Sequence, residues 1–171
     1  MDTKIATEKR KKSRAELLAQ TALIAAVYGI GTYAIAAIAF GPVQVRITDA
    51  LLPISWNRRV GFAGVLGVTL GVVISNLISP YGLPDIAIGT AANLVVGLVA
   101  YWLGRWQSKG ALVAAALQAS VMVAFFIGVL LLGWVYSSNP AANFAAILVG
   151  ELVACVGLGV PLNLALKTRY R

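Results

Sequence analysis

The stretch Gln44-Val-Arg-Ile-Thr-Asp-Ala-Leu-Leu-Pro-Ile-Ser-Trp56 decides how many times this chain crosses a membrane. As an α-helix its 13 residues would be about 20 Å long, which is short of the ~30 Å hydrocarbon core of a bilayer. Pro53 and the polar residues Arg46, Thr48 and Asp49 interrupt its apolar character. Such a segment is tolerated at membrane depth where protein or a water-filled cavity covers it. We therefore predict a short helix that enters the membrane here.

The composition of the whole chain is that of a protein whose outer surface faces lipid. Of its 171 residues, 60% are apolar and 12% are charged, whereas soluble domains carry about 25% charged residues. Five further apolar stretches are of the length that a crossing helix needs, namely Leu17–Phe40, Val60–Ser79, Asp85–Gly104, Gly110–Tyr136 and Phe144–Leu166. No stretch alternates apolar and polar residues as strands of a membrane barrel do. The predicted fold class is an all-α integral membrane protein.

The distribution of basic residues favours six crossings over five. The chain has 14 Lys and Arg residues and a formal net charge of +8, and the basic residues border the apolar stretches. Because short cytoplasmic loops are enriched in Lys and Arg, five crossings would leave the clusters Arg105–Lys109 and Lys167–Arg171 on the wrong side. Six crossings, the second short, bring every basic residue except Arg46 to one side. We predict a multi-pass protein of the cell membrane with both termini in the cytoplasm.

This arrangement divides the chain into a basic cytoplasmic segment (1–16), a six-helix membrane domain (17–166) and a basic cytoplasmic tail (167–171). A nucleic-acid partner is not expected, since it would require a basic patch on a folded aqueous face. The chain has no His and one Cys, Cys155, within an apolar run. A transition-metal site and Cys-His catalysis are therefore excluded, and we interpret Cys155 as a packing residue. We expect no enzyme activity and no cofactor bound by this chain.

Small residues recur at helical spacing in two of the predicted helices. Those in the first are Ala15, Ala19, Ala22 and Ala26, and those in the third are Gly61, Gly64, Gly67 and Gly71. Small residues on one helix face allow another backbone to approach closely. For the glycines we predict packing inside the bundle. For the alanine stripe, packing inside the bundle and docking of a second protein remain alternatives.

Ionisable and amide side chains at membrane depth are costly and usually mark a site or a pathway. The six-helix arrangement places one such set, from four helices, in the outer half of the bilayer, where an outward-facing cavity would collect them: Arg46, Asp49, Asn76, Asp85, Asn93 and Glu151. Each has a structural alternative except Glu151, which has no basic partner at its depth on its own helix. Asp85 could cap its helix, and Arg46 could pair with Asp49. Asn76 and Asn93 could form interhelical hydrogen bonds.

Aromatic residues lie at the predicted outer boundary, at Tyr81, Trp134 and Tyr136. Interfacial Trp and Tyr residues commonly anchor a protein in the membrane. Stacking of a planar ligand on Tyr81 or Trp134 is the alternative.

The stretch Gly41–Pro53 resembles the loop and second helix that mark the QueT family. The resemblance continues through Gly61–Gly71, Ser75–Pro80 and Gly82–Gly89, and Gly150-Glu151 fits as well. Two positions depart from the family pattern, since Asp49 replaces a Glu and Asn57-Arg58-Arg59 replaces an apolar, Pro-containing turn. The resemblance implies a substrate-binding S component of an energy-coupling factor (ECF) transporter, whose cargo is a queuosine precursor, a deazaguanine base.

The resemblance also implies partners and site residues. The alanine stripe would dock on a transmembrane coupling subunit that is bound to two ATPase subunits, and those subunits would hydrolyse ATP. Glu151 and Asp85 would accept N–H donors of the base or pair with its ammonium group, and Asn93 and Asn76 would complete the contacts. Arg46 would reach the ring carbonyl or hold Asp49. Gln44, from the Gly-Pro-x-Gln-x-Arg block, is a further contact.

Three alternative functions remain at this point. One is an S component for another planar molecule, such as a vitamin or an aromatic amino acid. Another is a structural membrane protein without cargo, and the third is a solitary transporter driven by a gradient.

Overall fold

The structure, a computed structural model, describes residues 13–40 and 46–168, and these residues form helices joined by short turns, with no strand among them. In chain order the elements are α1 (Arg14–Ala34), α2 (Ala36–Ala39), a 3-10 helix (Ile47–Trp56), α3 (Phe62–Asn76), α4 (Gly82–Leu103), α5 (Lys109–Val123), a π-helix (Ala124–Val135), α6 (Pro140–Glu151), a second π-helix (Leu152–Gly159) and α7 (Val160–Thr168). Each π-helix directly continues the α-helix before it. The predicted all-α class is confirmed.

Four helices are long and apolar enough to cross a membrane: Arg14–Ala34, Gly82–Leu103, Lys109–Val135 and Pro140–Lys167. Helix α3 is apolar but has only 15 residues, and the 3-10 helix has 10. At a rise of about 2 Å per residue, the latter is about 20 Å long. A short second helix is thus present as predicted, while the count of six crossings stays a prediction.

Helix α1 begins at Arg14 rather than at the predicted Leu17. The Ser13 hydroxyl accepts a hydrogen bond from the Glu16 backbone N–H (3.1 Å), and the Glu16 carboxylate accepts one from the Ser13 backbone N–H (3.0 Å). This reciprocal capping satisfies two N–H groups that a helix start otherwise leaves unpaired. A polar start at this position therefore extends the helix beyond the apolar stretch.

The 3-10 helix lies in the centre of the bundle, where it contacts α1, α3, α4, α5 and the last helix. Trp56 at its end is fully buried, and the Lys167 ammonium lies 4.9 Å from the centre of its indole ring. Lys167 also donates a hydrogen bond to the Gln107 carbonyl oxygen (2.6 Å). Gln20 near the start of α1 and Leu166 near the end of α7 line one groove. The first helix therefore begins, and the last helix ends, at the same end of the bundle.

Helices α1 and α3 approach closely at glycines. A Cβ at Gly67 would lie 2.6 Å from Ile24 Cβ, and one at Gly71 would lie 2.7 Å from Tyr28 Cβ. The predicted packing role is confirmed for these glycines. Gly61 differs, because it precedes α3 with a φ of +53°, a conformation that favours glycine.

We predict that Gly71→Ala destabilises the protein, because the added methyl group has no room beside Tyr28. Overpacking of this kind costs about 1–3 kcal/mol. Gly110→Ala is the matched control, since a Cβ there would meet no atom within 4 Å. Thermal unfolding of both variants in the same detergent, followed by circular dichroism, measures the effect. Equal melting temperatures would contradict the close packing of α1 on α3.

Candidate binding site

Six of the seven residues predicted to contact the substrate lie in the described part of the chain. All six are buried, each at most 3% exposed: Arg46, Asp49, Asn76, Asp85, Asn93 and Glu151. We call these six residues the polar cluster. Their backbones belong to the 3-10 helix and its start, to α3, to α4 and to α6. The seventh predicted contact, Gln44, lies outside the described residues. We expected residues from separate helices to come together, and the contacts between side chains described below show which of them do.

Arg46 and Asp85 form an ion pair within the polar cluster, with Arg46 Nη2 3.8 Å from Asp85 Oδ2. The guanidinium also donates through Nε to the Ala39 carbonyl oxygen (3.4 Å) and lies 4.9 Å from the centre of the Phe40 ring. The Ser79 hydroxyl donates to the same carboxylate oxygen, Asp85 Oδ2 (2.5 Å).

Two alternatives weighed from the sequence are corrected by this pair. Helix α4 begins at Gly82, so Asp85 lies inside the first turn and does not cap the helix. Arg46 forms its close ion pair with Asp85, although its charge also interacts with that of Asp49. The sequence suggested otherwise because Arg46 and Asp49 are near each other along the chain, whereas Asp85 approaches only through folding.

Asp49 and Glu151 bring two carboxyl groups together from different helices. The Tyr28 hydroxyl donates a hydrogen bond to Asp49 Oδ1. The Cys155 thiol lies 3.4 Å from Glu151 Oε2 and 3.3 Å from the Asp49 carbonyl oxygen. Cys155 is buried, as expected of a packing residue. Its thiol also makes weak polar contacts with the polar cluster, which the sequence analysis missed.

The polar cluster contains three carboxyl groups, from Asp49, Asp85 and Glu151, and one guanidinium group, from Arg46. No group of three or more Cys, Asp or Glu side chains arranged to hold a metal ion occurs in the described parts of the chain. A buried excess of carboxyl groups requires compensation by protons, by hydrogen-bond donors or by a positively charged ligand. The arrangement is suited to binding a molecule that presents N–H donors.

Asn76 and Asn93 each donate to the backbone of a neighbouring helix. Asn76 Nδ2 donates to the Asp85 carbonyl oxygen (3.0 Å), and Asn93 Nδ2 donates to the Val68 carbonyl oxygen (3.1 Å). These are the interhelical hydrogen bonds weighed from the sequence. Contact of either amide with a ligand stays a prediction.

Sequence reasoning missed Tyr28, whose side chain is 1% exposed. It lies within an apolar helix, where an aromatic residue usually indicates packing. A signal was present in the sequence, because Thr21, Tyr28 and Thr32 fall on one face of α1. The structure buries all three. Thr32 Oγ1 lies 2.6 Å from Thr48 Oγ1, so α1 and the 3-10 helix are joined by two polar contacts.

The two predicted stacking residues differ in position. The Trp134 side chain is 72% exposed, which fits membrane anchoring, while its stacking on a ligand stays a prediction. Tyr81 is half-buried, and its ring meets that of Tyr136 edge to face with centroids 5.4 Å apart. The Tyr136 hydroxyl donates to the Tyr81 carbonyl oxygen (2.5 Å). A ligand contact of Tyr81 is untested.

The alanine stripe lies on the side of α1 that the bundle leaves open. Ala15, Ala19 and Ala22 are exposed and Ala26 is half-buried. The face that packs against α3 and the 3-10 helix instead carries Ile24, Tyr28 and Thr32. Within residues 13–40 and 46–168, Ala15, Ala19 and Ala22 are thus not used for packing, and docking of a partner stays a prediction.

We predict that Tyr28→Phe destabilises the protein, since it removes the hydroxyl that donates to the buried Asp49 carboxylate. A hydrogen bond to a charged group contributes about 1.5–3 kcal/mol. The control is Tyr33→Phe on the same helix, whose side chain is 63% exposed and whose loss of a hydroxyl should change stability by about 0.5 kcal/mol or less. Thermal unfolding in detergent compares them, and equal shifts would argue against a structural role for the Tyr28 hydroxyl.

Comparison with known proteins agrees with the resemblance drawn from the sequence. A family model described as QueT transporter matches residues 18–168, nearly the whole chain. No curated protein and no solved structure matches significantly. The matched range includes most of α1, the 3-10 helix and every residue of the polar cluster. This chain belongs to the QueT transporter family, and it is a membrane transport component and not an enzyme.

Proposed function

We propose that this chain is the substrate-binding S component of an ECF-type importer and that its polar cluster captures a planar deazaguanine base, a queuosine precursor. The single observation that carries the proposal is the buried set of three carboxyl groups and one guanidinium group inside a bundle of apolar helices. Ionisable groups at membrane depth are retained mainly where function requires them. Family membership supplies the transport context.

The chemistry of the polar cluster supports a ligand rich in N–H donors. A carboxylate is an acceptor only, with room for two or more donors on its oxygens. Glu151 and Asp49 are in hydrogen-bond contact with each other, so a donor-rich or positively charged group next to them stabilises the pair when both are ionised. An amino-pyrimidinone edge and an aminomethyl group together provide such donors. An aromatic amino acid or a vitamin without this edge leaves acceptors unpaired, which is costly in a buried site.

The exposed side of α1 supports docking of a transmembrane coupling subunit. Along it, the small alanines alternate with exposed apolar residues, Leu18 at 68% and Leu23 at 65% exposure. Small residues let a second helix approach closely. Two ATPase subunits bound to that partner would supply the energy by hydrolysing ATP, with this chain binding no cofactor. In this arrangement the chain crosses the membrane six times and keeps both termini in the cytoplasm, where the basic clusters favour them.

We predict that Glu151→Gln weakens binding of a radiolabelled deazaguanine base that carries an aminomethyl group. Loss of a charge-assisted hydrogen bond of about 1.5–3 kcal/mol corresponds to roughly 10- to 150-fold in Kd. The matched control is Glu16→Gln, a half-buried carboxylate at the start of α1 where Gln also completes the cap. Equilibrium binding to purified protein in detergent measures both. If Glu151→Gln binds as tightly as the unmodified protein, Glu151 is not a ligand contact.

We predict that Ala19→Trp stops uptake of the same base without changing its Kd, because a large side chain holds a partner helix away. Ala114→Trp, at an exposed alanine of α5, is the matched control and should leave both unchanged. Uptake is measured in vesicles that contain the complete transporter, and Kd is measured on this chain alone. Normal uptake by Ala19→Trp would show that the partner docks elsewhere.

A further inference from the structure

Two atoms of the paired residues Arg46 and Asp85 lack hydrogen-bond partners. Arg46 Nη2 and Asp85 Oδ1 are buried and form no hydrogen bond. Other buried side-chain atoms of the described chain share this state, but these two alone belong to charged groups, and their residues pair with each other. Buried polar groups in folded proteins nearly always have partners. An unpaired donor beside an unpaired acceptor therefore indicates a ligand that supplies both complements.

The Arg46–Asp85 pair does not satisfy itself. Its separation of 3.8 Å exceeds the 2.7–3.2 Å of an N–H···O hydrogen bond. One other atom of each group is held in place, Arg46 Nε by the Ala39 carbonyl oxygen and Asp85 Oδ2 by the Ser79 hydroxyl. The unpaired Arg46 Nη2, which carries two N–H donors, and one free carboxylate oxygen of Asp85 are thus presented in a fixed arrangement. Such preorganisation lowers the entropic cost of binding.

We propose that Arg46 and Asp85 form a subsite that recognises a lactam edge, in which a ring carbonyl stands next to a ring N–H. The carbonyl oxygen accepts from Arg46 Nη2, and the ring N–H donates to Asp85 Oδ1. This inference rests on the proposed function, because it assumes that the polar cluster holds a planar molecule. It adds that the 6-oxo edge of the base decides specificity and that Arg46 and Asp85 are the residues that decide it.

The lactam subsite rejects amino analogues by simple complementarity. In a 6-amino base an amino donor replaces the carbonyl, and an unprotonated ring nitrogen replaces the ring N–H. Arg46 would then face a donor, and the Asp85 carboxylate would face an acceptor. Sites that bury polar groups discriminate strongly against a ligand that leaves them unpaired. We expect a preference for the oxo base of at least about 100-fold in Kd.

The test compares 7-deazaguanine with 2-amino-6-amino-7-deazapurine, which differ only at this edge, by competition and by direct binding to the purified full chain in detergent. The unmodified protein should prefer the oxo base by the stated factor. Asp85→Asn can present an amide N–H in place of the carboxylate oxygen, so the preference should fall by about tenfold or more, since one mispaired contact is then repaired.

Asp49→Asn is the matched control, because Asp49 Oδ1 is already engaged by Tyr28. Asp49→Asn should lower the affinity for both bases and leave the ratio of their Kd values unchanged. If Asp85→Asn acted only by disturbing the structure, it too would leave that ratio unchanged. Should Asp85→Asn fail to fold, Arg46→Gln replaces it, because the Gln amide oxygen can accept from the 6-amino group, and the ratio is again expected to fall. Equal binding of the two bases by the unmodified protein overturns the subsite and leaves the proposed function standing. Binding of neither base overturns both.

Discussion

Burying charged groups inside a bundle of apolar helices is the constraint on which this structure depends. Asp49, Asp85 and Glu151 are each at most 1% exposed, so every stabilising contact must come from protein or from a ligand. The structure supplies a guanidinium for Asp85, a phenol for Asp49 and a thiol for Glu151. These donors come from different helices. The polar cluster therefore also determines how the helices are arranged around it.

The 3-10 helix is the element that makes this arrangement possible. Its length of about 20 Å would leave an isolated segment with unpaired backbone groups in lipid, but the surrounding helices cover it. Its first residues belong to the polar cluster, and its last residue, Trp56, packs beneath Lys167 at the opposite end of the bundle. A single short helix thus connects the candidate binding site with the end of the bundle where α1 begins and α7 ends.

Helix α1 has two different faces, and each has a separate physical role. The buried face contacts α3 through Gly67 and Gly71, which leave no space for a Cβ, and it reaches the polar cluster through Tyr28. The opposite face presents alanines, of which Ala15, Ala19 and Ala22 are exposed in the described chain. In a membrane, where lipid tails are as apolar as side chains, close approach and hydrogen bonding drive helix association. The division of α1 into these faces follows from that physics.

The sequence by itself determined the fold class, the short second helix, the membership of the polar cluster and the small-residue faces. These follow from local properties, because apolar length, periodicity and the cost of buried polarity can be read residue by residue. Only the tertiary structure decided which groups pair. It joined Arg46 to Asp85 across 39 positions of the chain, brought Tyr28 to Asp49, and placed Cys155 against Glu151. Partners at such separations depend on how helices cross, and helix crossing is set by packing of the whole bundle and not by any one segment.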